Sequence, residues 1–201
     1  MMRECLDLGL ILARQFRVHL PLLFGTPGEF APFKSFAHLC VSREIHLFAA
    51  NKTSPIVGWL RALCRHLKDE SGARGVGVIG MCLSGGFALA LVAEESVIAP
   101  VVAQPGLPFL VHKEALDLSP EDAEAVRQRA ASLPEKSVLA LRYADDFFCR
   151  RERIETVRRL LGPALDYEEV PGSGHPTLTK QRSEQALERT IAFLSGRLAA
   201  V

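Results

Sequence analysis

Gly75-Val76-Gly77-Val78-Ile79-Gly80-Met81-Cys82-Leu83-Ser84-Gly85-Gly86 reads as an apolar strand that turns sharply into a helix, with a thiol held at the turn. In such an elbow the central residue is forced into a strained backbone conformation. The positions two before and two after it must then be small, so that strand and helix do not collide. Gly80 and Ser84 meet that demand around Cys82. Gly85 and Gly86 let the next helix lie close to the strand, and Phe87-Ala88-Leu89-Ala90-Leu91-Val92-Ala93 is apolar on every side, as a buried element should be. The bland alternative is a structural thiol in an ordinary strand-to-helix turn, since free cysteine is commonly buried.

Two further signals follow in chain order. Val138-Leu139-Ala140-Leu141-Arg142-Tyr143 reads as a strand ending in Ala144-Asp145-Asp146-Phe147-Phe148, which places a carboxylate pair just past the strand's carboxyl end. Leu165-Asp166-Tyr167-Glu168-Glu169-Val170 reads as another strand, followed by Pro171-Gly172-Ser173-Gly174-His175-Pro176. His175 thus sits on a Gly/Pro-rich loop at the same end of the sheet, where one ring nitrogen can meet the thiol and the other a carboxylate. A lone histidine there would be a turn residue; thiol, acid and imidazole on three post-strand loops form a nucleophile, its orienting acid and its base.

On these residues the chain resembles the dienelactone hydrolase family, an α/β-hydrolase family with Cys rather than Ser at the elbow. The family's G-x-C-x-G-G pattern matches Gly80-Met81-Cys82-Leu83-Ser84-Gly85, with Ser84 in place of a glycine. Its D-x-F/L-V-P type acid loop matches Asp145-Asp146-Phe147-Phe148-Cys149, which favours Asp145 as the acid with Asp146 as the alternative. Its G-H context matches Gly174-His175, and the likeness extends through Pro21-Leu22-Leu23-Phe24-Gly25 and Ala99 to Pro105.

Two departures stand out. Where type members carry a substrate-binding Arg after the His, this chain reads Pro176-Thr177-Leu178-Thr179-Lys180, so dienelactone itself is not implied as substrate. Family members also open with a strand ending in an H/Q-E-x-x-G loop that contacts the thiol and supplies part of the oxyanion hole. Here Met1 to Gln15 already looks like the helix after that strand, so the fold is expected to be N-terminally truncated relative to the family. The missing strand belongs between Phe16–Leu23 and the elbow strand, where its absence should leave a gap.

The expected fold is α/β and α/β-hydrolase-like: a mostly parallel sheet flanked by helices on both faces, in a single domain over residues 1–201. Strands are expected near Phe16–Leu23, Gly75–Ile79, Val97–Ala103, Val138–Tyr143 and Leu165–Val170. Helices are expected near Glu4–Gln15, Pro55–Glu70, Gly85–Ala93, Pro120–Ser132, Arg151–Leu161 and Gln181–Leu198. Ser119-Pro120-Glu121-Asp122 carries a cap residue, a first-turn Pro and early acids, and Gly162-Pro163 stops the helix begun at Arg151. Phe33–Ala49 fits either a strand or a helix, and Gln104-Pro105-Gly106-Leu107-Pro108 is a loop that could border a pocket.

Composition excludes several other classes. A hydrophobic content of 48% over 201 residues supports a substantial core. A net charge of +1 without a sustained basic stripe does not imply a nucleic-acid partner. Arg150, Arg151, Arg153, Arg158 and Arg159 read as a solvated helix face, because Ile154, Val157, Leu160 and Leu161 recur at helical spacing. No apolar run approaches the ~20 residues of a membrane-spanning helix, and no signal-peptide core is present, which favours a cytoplasmic location. Cys5, Cys40, Cys64, Cys82 and Cys149 are an odd number without metal-ligand spacing and read as reduced thiols. Cys149 is expected to be an unreactive surface or half-buried thiol. The six histidines show no H-E-x-x-H pattern, so neither a metal nor a cofactor is implied. No feature sets an oligomeric state.

The mechanism expected from these groups begins with a Cys82 thiolate, formed with His175 as base, attacking a small-molecule ester or lactone carbonyl. The Leu83 backbone N–H stabilises the oxyanion, and Asp145 holds the His tautomer. His175 then activates water to release the acyl group from sulfur. Ser84 is a competing nucleophile, set two residues too far into the helix. The competing functions are a non-catalytic binding or interaction module on the same fold, and a thiol redox protein, disfavoured because Cys82 has no resolving Cys near it in sequence.

Overall fold

The computed structural model describes residues 3–23, 55–106, 116 and 118–199. The ambiguous segment Phe33–Ala49 and the end of the Gln104–Pro108 loop lie outside the described residues. Helix α1 is Arg3–Leu12 and α2 is Pro55–Ser71; then come β1 (Val76–Met81), α3 (Leu83–Ala90) with a 3₁₀ turn at Leu91–Ala93, and β2 (Val97–Ala103). The chain continues through α4 (Pro120–Ser132), β3 (Val138–Tyr143), α5 (Arg151–Leu161), a 3₁₀ turn at Gly162–Ala164, β4 (Leu165–Val170) and α6 (Glu184–Leu198).

Among the described residues the strands form one four-stranded sheet in the order β1-β2-β3-β4, every pair parallel. β3 is buried at every residue and β2 at all but Ile98, whereas β1 and β4, the outer two of the described strands, are mostly half-buried. The two-residue period sorts their side chains onto two cores. Val102, Val138 and Ala140 join Val57, Leu60, Phe87, Val126 and Val157 on the face covered by α2, α3, α4 and α5. Val101, Ala103, Leu139 and Leu141 join Leu8, Leu12, Leu187 and Leu194 on the face covered by α1 and α6.

Local chemistry sets the helix ends. The Ser119 hydroxyl accepts from the Asp122 amide at 3.0 Å, with Pro120 in the first turn of α4. Ser183 caps α6 in the same way, accepting from Ala186 at 3.3 Å, so that helix starts three residues later than the apolar pattern suggested. Gly162, at φ 54, terminates α5 in the left-handed region. The solvated-face reading of α5 needs one correction, because Arg153 points inward and is 2% exposed.

Phe16–Leu23 is a second correction: residues 17–23 form no strand, and among the described residues β1 pairs only with β2. Extended backbone becomes a strand only where a neighbour completes the ladder, and Pro21 has no N–H to offer one. The segment is held by other means. Phe16 and Val18 pack on the α1/α6 core, Leu23 reaches the opposite one, and Arg17 pairs with Glu70 of α2 at 2.8 Å.

Candidate active site

Because all four strands are parallel, the loops that follow them emerge at one end of the sheet. Cys82 after β1, Gln104 after β2, Asp146 after β3 and His175 after β4 are thereby brought together.

The elbow is built as its spacing demanded. Cys82 sits at φ 53, ψ −121 as the residue capping α3, a conformation L side chains rarely adopt. A Cβ on Gly80 would overlap the Ser84 carbonyl and stand 2.6 Å from the Ala88 Cβ, so only glycine fits. A Cβ on Gly85 would come within 2.8 Å of the Pro105 Cα, fixing how closely α3 packs on the loop after β2. Backbone bonds clamp the strained residue: its N–H donates to the Ala103 carbonyl at 3.2 Å, and its carbonyl accepts from Gly85 at 2.9 Å and Gly106 at 3.2 Å.

Ser84 is consumed by the turn. Its hydroxyl accepts from the Met81 amide at 2.9 Å and donates to the Met81 carbonyl at 2.8 Å. The Cys82 thiol is half-buried and donates to the Gly106 carbonyl at 3.4 Å.

The carboxylate that meets His175 is that of Asp146, which corrects the expectation of Asp145. Asp146 is 4% exposed, and its two oxygens lie 3.0 and 2.8 Å from His175 Nδ1. Asp145, by contrast, is exposed. The backbone explains the choice. Ala144 and Asp145 still donate to the β4 end, to Val170 at 2.8 Å and Gly172 at 3.1 Å, whereas the Asp146 amide turns back onto the Tyr143 carbonyl at 3.2 Å. The turned-in carboxylate then accepts from the amides of Phe148 and Cys149, each at 2.8 Å. Either Asp could bond the amides two and three residues on, so this Asx-type turn does not separate the two in the sequence; the pairing with the β4 end does.

His175 is positioned by the loop after β4, where Gly174 adopts φ 154 against the Tyr143 ring and the His175 amide donates to Gln181 Oε1 at 2.9 Å. Phe148 packs edge-on against the imidazole with ring centres 5.2 Å apart. Burial alone would lower the imidazole. It is outweighed by the bond to Asp146 and by the nearby Cys82, which together raise His175 to about 9. Among the described residues, buried Nε2 makes no hydrogen bond of good geometry, while the thiol is engaged with Gly106. A thiol and an imidazole brought to the same end of the sheet can exchange a proton once they meet.

Leu83 opens α3, where the first amides of a helix have no acceptor within it. Phe147 and Phe148 form an exposed apolar rim beside His175, with the Arg150 guanidinium 5.1 Å over the Phe147 ring. Cys149 is fully buried, which corrects the expectation of a surface or half-buried position, and burial foremost pushes its thiol up to about 12, in keeping with an unreactive thiol. Among the described residues no group of His, Cys, Asp and Glu could hold a metal ion, and no helix is long and apolar enough to cross a membrane.

Among the described residues, four parallel strands flanked by helices on both faces, with a strand-to-helix elbow after the first, make an α/β-hydrolase-like fold. No protein-family model matches the chain, and no curated protein does either. Among solved structures, similar ones include a CIB-like hydrolase from Thermoplasma acidophilum, 16% identical with a TM-score of 0.48 over 70% of this chain and 60% of that one. The esterase Pf2001 of Pyrococcus furiosus is 17% identical with a TM-score of 0.49 over 71% and 62%. A variant of Arabidopsis thaliana SOBER1 is 18% identical with a TM-score of 0.47 over 71% and 63%. The match thus spans about three fifths of the length of these structures.

Proposed function

We propose that the chain is a hydrolase of small carboxylic esters or lactones, of dienelactone hydrolase type, acting through a Cys82–His175–Asp146 triad and a thioacyl-enzyme intermediate. The observation that carries the reading is the 2.8 Å contact between buried Asp146 and His175 Nδ1, beside a thiol held at a strained elbow. His175 Nε2 takes the Cys82 proton, and the sulfur forms a bond to the substrate carbonyl carbon. The carbonyl electron pair moves onto the oxygen, where the Leu83 N–H and the start of α3 stabilise the charge. When that pair returns, the bond to the alkoxy group breaks and His175 gives the leaving oxygen its proton, leaving a thioester on Cys82. Water, deprotonated by His175, attacks the thioester to release the acid and restore the thiol. Asp146 stays ionised throughout, holding the ring tautomer and balancing the imidazolium.

The apolar rim of Phe147 and Phe148 suits an uncharged acyl or alkyl group. A cytoplasmic location accords with a thiol nucleophile that must stay reduced. The test is turnover of a chromogenic short-chain ester by purified protein, with intact-mass detection of an acyl group on Cys82. Cys82→Ala should abolish both; equal turnover by Cys82→Ala would refute the Cys82 nucleophile, and no turnover by the wild-type protein would leave a non-catalytic module as the better reading.

A further inference from the structure

Gln104 follows β2 directly and is 0% exposed, yet it adopts φ 35, a left-handed conformation that costs a non-glycine residue free energy. Its amide donates to the Leu141 carbonyl at 2.6 Å, anchoring it to β3. Its Oε1 accepts from the hydroxyl of Thr177 at 2.6 Å, and Thr177 is likewise 0% exposed. The side-chain Nε2 is buried without a partner among the described residues. An amide that is buried, half-satisfied and on strained backbone persists where the surrounding structure holds it in place for another purpose.

What Gln104 joins supplies that purpose. Two residues after it, Gly106 donates to the Cys82 carbonyl at 3.2 Å and accepts from the Cys82 thiol at 3.4 Å, while Pro105 abuts Gly85 at the start of α3. Two residues before Thr177 stands His175. The Gln104–Thr177 bond is therefore the strut between the loop that grips the nucleophile and the loop that carries its base.

We propose that Gln104 and Thr177 are positioning residues that set the separation between the Cys82 sulfur and the His175 ring, an inference that rests on the triad reading above. Neither touches the reacting atoms; they act through Gly106 and through the backbone of the histidine loop. The bond is removed from one side by Thr177→Val, which keeps the shape, and from the other by Gln104→Met; Thr177→Ser keeps the hydroxyl.

The readouts are the iodoacetamide alkylation rate of Cys82 across pH, kcat and KM on p-nitrophenyl acetate, and thermal unfolding. Thr177→Val should lower the neutral-pH alkylation rate and kcat by about ten- to a hundredfold, with KM changed less than about twofold. Thr177→Ser should restore most of both, and the Gln104→Met/Thr177→Val double variant should be no worse than either single change. Wild-type alkylation and kcat in a folded Thr177→Val protein would overturn the proposal, as would a loss that Thr177→Ser does not rescue. If Thr177→Val is insoluble, Gln104→Met must show the same loss or the proposal falls. Alkylation needs no substrate, so the two readings fail separately. Ester turnover with alkylation unmoved by Thr177→Val rejects the strut alone, whereas sensitive alkylation in a protein without turnover rejects the hydrolase reading and keeps the strut.

Discussion

Asp146→Asn changes one atom at the point where the acid meets the base. The asparagine Oδ1 can go on accepting from the Phe148 and Cys149 amides, both 2.8 Å from that position, so the turn survives. An NH₂ group then takes the place of Oδ2, now 2.8 Å from His175 Nδ1. Two donors cannot share a bond, so the ring must give up its Nδ1 proton and carry hydrogen on Nε2, the nitrogen that has to accept from the thiol. Losing a charge-assisted bond of about 1.5–3 kcal/mol costs about ten- to 150-fold in rate. The inverted tautomer adds to this, the same swap in serine triads lowering kcat by about 10⁴. The expected fall in kcat/KM is about 10²- to 10⁴-fold, against less than about twofold for Asp145→Asn at the exposed neighbour. The variant should also bring His175 down from about 9, because burial is then opposed by less. Chromogenic ester kinetics read the first effect and NMR titration of the ring nitrogens the second. A larger loss in Asp145→Asn than in Asp146→Asn would refute the assignment.

Gly80→Ala should give insoluble or unfolded protein, since its Cβ meets backbone at Ser84 and the Ala88 Cβ at 2.6 Å; soluble expression with a native circular dichroism spectrum would contradict the close strand–helix approach. Ser84→Ala removes two bonds to Met81 and should cost about 1–3 kcal/mol in urea unfolding while most ester turnover remains, whereas loss of turnover at unchanged stability would return Ser84 to the list of nucleophiles. His175→Ala should slow alkylation of Cys82 at neutral pH by removing the imidazolium that stabilises the thiolate, and an unchanged rate would leave the triad without its base. His175 is raised from 6.5 to about 9 on folding, so its contribution to stability is complete below about 6.5 and is lost as pH rises through about 9; comparing wild type with His175→Gln by urea unfolding on either side of that window should show the difference shrinking at alkaline pH.

The parallel sheet was legible because each strand announced itself locally. Val97–Ala103, Val138–Tyr143 and Leu165–Val170 begin and end where their apolar runs and turn residues do. Phe16–Leu23 carries the same composition yet is no strand, because pairing is a property of two segments and only one of them can be read at a time. The elbow was legible for a steric reason, small residues flanking Cys82, that a sequence states outright. The acid was legible only to within one position. Asp145 and Asp146 differ in which one follows the β3–β4 ladder and which turns back on Tyr143, a register that depends on where β4 ends. Gln104 and Thr177 lie 73 residues apart, and neither residue type marks a site, so their bond appears only once the loops are in place.

Among the described residues three non-glycine positions have positive φ: Cys82, Gln104 and Lys136. Lys136 lies before β3, at the opposite end of the sheet, and its amide is satisfied by the Pro163 carbonyl at 3.0 Å. The other two follow β1 and β2 at the end that also holds buried Asp146, the raised His175 and Gln104 Nε2, which has no partner among the described residues. Strain of about 1–3 kcal/mol per residue is tolerable only where other contacts over-determine the backbone. The bonds of Cys82 to Ala103, Gly85 and Gly106, and of Gln104 to Leu141 and Thr177, do this here. The apolar strands, the two cores and the helices capped by Ser119 and Ser183 supply the stability against which these local costs are set. The irregular end holds a thiol, an imidazole and a carboxylate in an arrangement that a relaxed chain would abandon.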